Sequence, residues 1–207
     1  MRVLDIFGGK VRVAVSEKLD GNMRVFDESE RDAVRGNQAK LGEAMGVRDL
    51  MVVRCSYDRE EFTHYVSGAE VDLSDGILVE RSDVGLILPL ADCLGVVLYD
   101  EVQGKMMLVH AGRHNLEQDG LVRAVECMAG DPKDMRAFFS PVAGKQNYEI
   151  HKLNMGIAEA AREQLVRAGL SQENIEEMGI DTTTDEQYFS HSKGDKTARF
   201  AIGARLV

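Results

Sequence analysis

The sequence contains no tryptophan, only three prolines and only three cysteines in 207 residues. It is also short of bases: 25 lysines and arginines stand against 35 acids, a formal charge of −10. Binders of nucleic acid or of anionic membranes need clustered cations, so this balance argues against both classes. A small anionic substrate can still find a locally basic pocket. Cys55, Cys93 and Cys127 are odd in number and widely spaced, which is no disulfide framework. The longest strongly apolar stretch, Val84 to Tyr99, is broken by Pro89, Asp92 and Gly95. It falls short of the roughly 20 residues that a membrane span requires. The first nine residues lack the sustained apolar core of a secretory signal, so the expected address is the cytoplasm, with reduced thiols. Pro89, Pro132 and Pro141 form no linker, and no repeat or low-complexity tract is visible, so residues 1–207 read as one domain.

What is present is globular. Hydrophobic residues make up 44% and charged residues 29%, enough to bury a core without staples. Val11 to Val15 alternates with period two, and Leu50–Val53 and Ile77–Val79 are similar strand-like runs. Gly85 to Leu90 and Leu94 to Tyr99 are almost wholly apolar, as strands buried on both faces are. Asp100 to Gly104 supplies turn chemistry before Lys105 to His110, so Leu94 to His110 reads as a β-hairpin. Helical spacing predicts three helices: Glu28 to Met45, Asn115 to Met128 with Asn115 as N-cap, and Leu153 to Ala168 closed by Gly169. Ala198 to Val207 reads as a terminal strand. Strands and helices mixed without strict alternation predict an α+β layered sandwich.

The residues with chemistry to offer lie at the hairpin. Cys93 ends one apolar run and His110 ends another, 17 positions on. On neighbouring strands both side chains can sit at one edge of the sheet. A thiol and an imidazole there form a reactive or metal-binding mouth, because a neighbouring imidazolium or metal favours the thiolate. A lone Cys or His on an apolar strand is more commonly plain core. Cys127, on the apolar stripe of the Asn115 helix, is expected to be core. Glu173, Glu176 and Glu177 are expected on a solvated helix face. His151 is expected to open the last helix, and Gly112 argues against a helix at His114.

Leu90-Ala91-Asp92-Cys93-Leu94 and Leu108-Val109-His110-Ala111-Gly112 resemble the two signature strings of the laccase-domain family, TADC and VHAGWRG. That family also goes by multicopper polyphenol oxidase, peptidoglycan editing factor and purine nucleoside phosphorylase. Further stretches resemble it in order: Val34–Leu41, Leu73–Val79, Tyr188–His191 and Lys196–Arg199. The resemblance implies a layered α/β/β/α sandwich with mixed sheets, the fold also seen in cytotoxic-necrotizing-factor-like toxins. It implies a zinc or Cys–His site, with Asp92, Cys93 and His110 as the catalytic group. It further implies Asn37, Arg113, Lys193 and Arg199 as substrate contacts. The family's first His ligand has no counterpart here. Cys55 stands nearest to that position and His64 follows nine residues later; Cys55, Cys93 and His110 would make a sound zinc set, and the other reading of Cys55 is a core thiol. The family's WRG is replaced by Arg113-His114-Asn115. Lys193 stands in a basic pair's place as a point charge, not a bidentate fork.

Three functions are compatible with these residues. By resemblance, the first is a zinc-dependent purine nucleoside phosphorylase that also deaminates adenosine, taking a nucleoside and phosphate as partners. The second is a Cys–His amidohydrolase of the peptidoglycan-editing type. The third is a divergent binding protein without catalysis. Multicopper oxidation is excluded by counting, since such a centre needs many imidazoles and the chain has five scattered histidines.

Overall fold

The computed structural model describes residues 1–55 and 73–207 in full and the backbone of residues 62–64. In chain order, strands β1 (Arg2–Ile6) and β2 (Val11–Val15) form a hairpin, followed by helix α1 (Arg31–Met45). Strands β3 (Asp49–Val52), β4 (Phe62–His64), β5 (Gly76–Val79), β6 (Val84–Leu90), β7 (Leu94–Asp100) and β8 (Lys105–Ala111) come next. Then follow α2 (Arg113–Leu116), α3 (Gly120–Met128) and β9 (Met135–Phe139). A small hairpin of β10 (Glu149–Ile150) and β11 (Met155–Gly156) leads into α4 (Ile157–Arg167). Strands β12 (Ile175–Glu177) and β13 (Phe200–Leu206) complete the order.

The strands build two mixed sheets, one in the order β1-β2-β13-β6-β3 and the other β12-β9-β7-β8-β5-β4. Period two explains how they stack. On β6, Leu86, Leu88 and Leu90 join Val97 and Tyr99 of β7 and Met106 and Leu108 of β8 in one cluster between the sheets. The alternate residue, Ile87, packs instead with Leu41 and Met45 of α1. Likewise Leu94, Val96 and Leu98 of β7 face away from the inter-sheet core and meet Leu121, Val125, Ala161 and Leu165 of α3 and α4. The result is α/β/β/α, as the family resemblance implied. It also accounts for the unbroken apolar runs of β6 and β7, which bury side chains on both faces. Each such Val, Leu or Ile contributes about 1.5–3 kcal/mol of transfer free energy. Among the described residues, no helix is long and apolar enough to cross a membrane.

Several local expectations are corrected. The segment expected as one helix over Asn115–Met128 is two, α2 and α3, broken at Asp119, whose φ is +62°. Asn115 lies inside α2, Gly112 is that turn's N-cap, and His114 is helical after all. Helix α4 starts at Ile157, four residues later than expected, because Glu149 to Gly156 is taken up by the β10–β11 hairpin. His151 therefore sits in an exposed turn before the helix. Glu176 and Glu177 are exposed on β12, an edge strand parallel to β9, and not on a helix.

Candidate functional site

The site follows from the register of the β7–β8 hairpin. Leu94 pairs with Ala111 and Gly95 with His110, so one step outward Cys93 comes opposite Gly112. On β8, Met106 and Leu108 point into the inter-sheet space, and by alternation so does His110. Cys93 and Cys55 both pack against the end of that same core, Cys55 arriving just beyond β3. Strand β5 pairs with β8 through Gly76 and Val109, which brings Asp75 alongside His110. The His110 backbone N–H donates to the Asp75 carbonyl at 2.7 Å. Four chemically capable side chains from four chain segments thus meet at one mouth of the inter-sheet core.

Gly112 marks how closely they meet. A Cβ added there would lie 2.9 Å from His110 Cε1, 3.0 Å from His110 Nε2 and 3.1 Å from Cys93 Sγ. The ring and the thiol therefore share one small space. His110 and Asp75 are almost wholly buried, with Asp75 Oδ1 at 3.3 Å from His110 Nδ1. Cys55 Sγ, an Asp75 oxygen and a His110 ring nitrogen lie within 4.8 Å of one another, a cluster able to hold a metal ion. Burial by itself pushes the His110 pKa down. The charge of Cys55 and hydrogen bonds with Asp75, Cys55 and Cys93 outweigh it and hold the ring well above its usual value.

A recess of about 140 Å³ opens on this cluster, walled by Arg113, His114, Asn115, Gln118 and Tyr148. A volume of that order holds about one aromatic ring. Burial raises the Tyr148 pKa, which keeps its phenol protonated as a hydrogen-bond donor. Cys55 also borders a groove of about 860 Å³ whose walls carry Arg24, Arg35 and Arg54, together with Arg31 paired to Glu28. A chain of net charge −10 thus turns a locally basic surface toward the cluster.

The other residues singled out from the sequence are engaged differently. Asp92 is buried beside Cys93, but both its carboxylate oxygens are occupied. Thr182 Oγ1 donates to one at 2.9 Å, and Ser192 donates to the other through its N–H at 2.7 Å and its hydroxyl at 2.6 Å. Asp92 thus ties the segment around residues 182–192 to the β6–β7 turn. Asn37 donates from α1 to the Asn22 carbonyl, away from the recess. Arg199 spends its guanidinium on the carbonyls of Asp195, Lys196 and Ala198 and stacks over Phe26. Lys193 is exposed and does not line the recess, and His191 is exposed as well. Cys127 is half-buried against the α3–α4 core. The side chain of His64, the other possible ligand, lies outside the described residues. Asp75 and Tyr148 were not anticipated; the signal for Asp75 was its place two residues before the inward Ile77 of β5.

Comparison with known proteins places the chain. The family described as "Multi-copper polyphenol oxidoreductase laccase" matches residues 8–154 and 151–206. The chain belongs to that family. A protein of Xylella fastidiosa strain 9a5c named purine nucleoside phosphorylase is 34% identical, over 94% of this chain and 87% of its own. One of the same name from Mycobacterium bovis is 28% identical, over 82% and 78%. Among solved structures, Bacillus licheniformis hypothetical protein YfiH superposes with a TM-score of 0.86 at 20% identity, covering 99% of this chain and 96% of its own. YlmD from Geobacillus stearothermophilus gives 0.80 at 18%, over 95% and 91%. These likenesses fit the laccase-domain fold.

Proposed function

We propose that this laccase-domain protein is a zinc-dependent purine nucleoside phosphorylase, with adenosine deamination as a second activity at the same site. The observation that carries the reading is the convergence of Cys55, Cys93, Asp75 and His110 beside a recess edged by Arg113. Relatives bearing the phosphorylase name support the substrate class. The thiols of Cys55 and Cys93 and the imidazole of His110 are a donor set that suits zinc, and five histidines in the whole chain do not fit a multicopper centre. Cys55 takes the place of the family's first His, with Cys93 and His110 beside it. When bound, the ion supplies Lewis acidity toward a substrate oxygen or water.

The protein's own groups divide the rest of the work. In phosphorolysis a phosphate oxygen bonds to C1′ of the ribose as the C1′–N9 bond breaks, giving ribose 1-phosphate and a purine that takes up a proton. Arg113 attracts the phosphate, aided by the basic groove. The Tyr148 hydroxyl donates a hydrogen bond to the departing base. The recess admits a ring and excludes much of the water around it. Small molecules are the partners in this reading, and a working thiol site suits the reducing cytoplasm. Purified zinc-loaded protein with adenosine and phosphate should release adenine or inosine by chromatography, and Cys93→Ala should abolish the release. Absence of turnover by folded, zinc-loaded protein rejects the reading.

A second reading draws on the contact between the Cys93 thiol and the His110 ring. A Cys–His amidohydrolase would use Cys93 as nucleophile and His110 as its base. Metal analysis separates the two: stoichiometric zinc supports the phosphorylase, whereas a metal-free protein that traps an acyl group on Cys93 supports the amidohydrolase.

A further inference from the structure

We propose that Asp75 is a positioning residue: its carboxylate accepts a hydrogen bond from His110 Nδ1–H and so turns Nε2 toward Cys93 and the recess. The inference rests on reading Cys93 and His110 as the working pair.

The backbone sets up the contact before the side chains do. Antiparallel β5 and β8 pair Gly76 with Val109, and the His110 N–H donates to the Asp75 carbonyl at 2.7 Å. Asp75 thus cannot slide along the ring edge without breaking the sheet. Its side chain, two positions before the inward Ile77, falls on the same face as His110, and Oδ1 lies 3.3 Å from Nδ1. Catalytic hydrogen bonds of this length are common before a ligand is bound. Both residues are at least 96% buried, so little water competes for the contact. A carboxylate taken out of water needs a donor, and Nδ1–H is the one this register brings to it.

The opposite edge of the ring faces elsewhere. The His110 atoms nearest the vacant Cβ position of Gly112 are Cε1 and Nε2, and the next neighbour is Cys93 Sγ. An imidazole with Nδ1 committed to a carboxylate presents Nε2 as its lone pair, either to a thiol proton or to an ion. A rival arrangement has an Asp75 oxygen entering the coordination sphere with Cys55 and His110, since these donors lie within 4.8 Å of one another. The two make different predictions about the ring and about the donor set.

Long-range ¹H–¹⁵N correlation on the metal-free full chain, at a pH where the ring is neutral, reads which nitrogen carries the proton. The His110 signal is assigned by its loss in His110→Gln. The wild-type protein should show Nδ1–H, and Asp75→Ala should revert to Nε2–H. An Nε2–H wild-type ring, or a tautomer indifferent to Asp75→Ala, overturns the proposal. Should Asp75→Ala not fold, the wild-type tautomer alone decides. In the cobalt-substituted protein, Asp75→Ala should require about 10- to 100-fold more metal while keeping the wild-type band energies. Bands displaced as for a lost donor make Asp75 a ligand and overturn the proposal. For nucleoside turnover, Asp75→Ala should lower kcat by about 10- to 100-fold with little change in KM, and Asp75→Glu should recover part of it. A wild-type protein that switches tautomer as expected yet turns over no nucleoside sinks the phosphorylase reading and leaves Asp75 in its role.

Discussion

Gly112→Ala tests the geometry of the site with one methyl group. The backbone at Gly112 is extended, with φ −109° and ψ 179°, so alanine fits it without strain and any effect is steric. The new Cβ would sit 2.9–3.1 Å from the His110 ring and the Cys93 sulfur, closer than carbon normally approaches either. One of the two must move by several tenths of an ångström. Overpacking costs about 1–3 kcal/mol in a closed core. Here the clashing atoms are side-chain ends beside a recess that can take them up, so the lower end applies, about 1 kcal/mol. For a chain of this length that is a fall in Tm of about 2–4 °C. The functional cost should be much larger, because misplacing a reacting group by about 1 Å can cost about 100-fold in rate. Differential scanning fluorimetry, zinc titration against a chromogenic chelator and nucleoside turnover measure the three effects. A Gly112→Ala protein with wild-type zinc affinity and wild-type turnover would refute the shared pocket of thiol and ring, and with it every functional statement above.

Three further outcomes follow from contacts around the site. Asp92→Ala removes three hydrogen bonds onto one buried carboxylate and should cost about 1–3 kcal/mol in urea unfolding, yet leave turnover within a few fold; loss of turnover at full stability would return Asp92 to the catalytic group. Gly120→Ala would place a Cβ 2.3–2.4 Å from the Asn115 amide, outweighing the helix propensity gained; the double mutant with Asn115→Ala should recover most of the lost stability, and strict additivity would show that the two do not touch. Asp181 accepts from the N–H groups of Gly144 and Thr183 and from the Thr183 hydroxyl. Burial opposes its ionisation, but these bonds prevail and hold its pKa below the usual value. Its stabilisation is therefore complete above the unfolded carboxylate range and lost as pH falls through the lowered native value, so the Tm gap between wild type and Asp181→Ala should narrow as pH falls below the usual carboxylate range and stay constant above it.

The parts of the fold legible in the sequence were those fixed by pattern. The apolar runs of β6, β7 and β8 and the turn at residues 100–104 appear within a residue or two of their expected bounds, and α1 ends where expected but starts three residues later. Where tertiary contacts override local preference, the sequence misled. Helix periodicity runs straight through Asp119, but the chain turns there with positive φ so that α3 can lie against α4 and β8. Strand β1 escaped notice because it is an edge strand in which the consecutive Val3 and Leu4, on opposite faces, are both exposed, leaving no clean alternation. β12 was hidden because only Ile175 of its three residues is buried. At the site, Cys93 and His110 were visible because their spacing is that of a hairpin. Asp75 was not, because its nearness to His110 comes from the pairing of β5 with β8, which no local pattern announces.

The same register argument separates what this chain shares with its family from what it alters. Cys93, His110 and Gly112 sit on a hairpin whose strands are buried on both faces, so a one-residue slip would turn the site into the helical layer and expose nothing useful. That constraint holds Cys93 and His110 in place whatever happens nearby. Arg113, His114 and Asn115 lie just past the last paired residue, on the short turn of α2 that forms one wall of the recess. Side chains there can be exchanged without disturbing the sheet. Arg113-His114-Asn115 stand at that wall in place of the family's WRG, and in the proposed reading Cys55, just past edge strand β3, takes the part of the family's first His. Both changes fall where the fold is permissive and the ligand is near. Altered selectivity or metal affinity is then the expected consequence of the divergence, and displacement of Cys93 and His110 is not. Restoring the family residue with Cys55→His should accordingly change zinc affinity and leave the melting temperature of the metal-free protein nearly unmoved. A large change in that melting temperature would show Cys55 to be core packing instead.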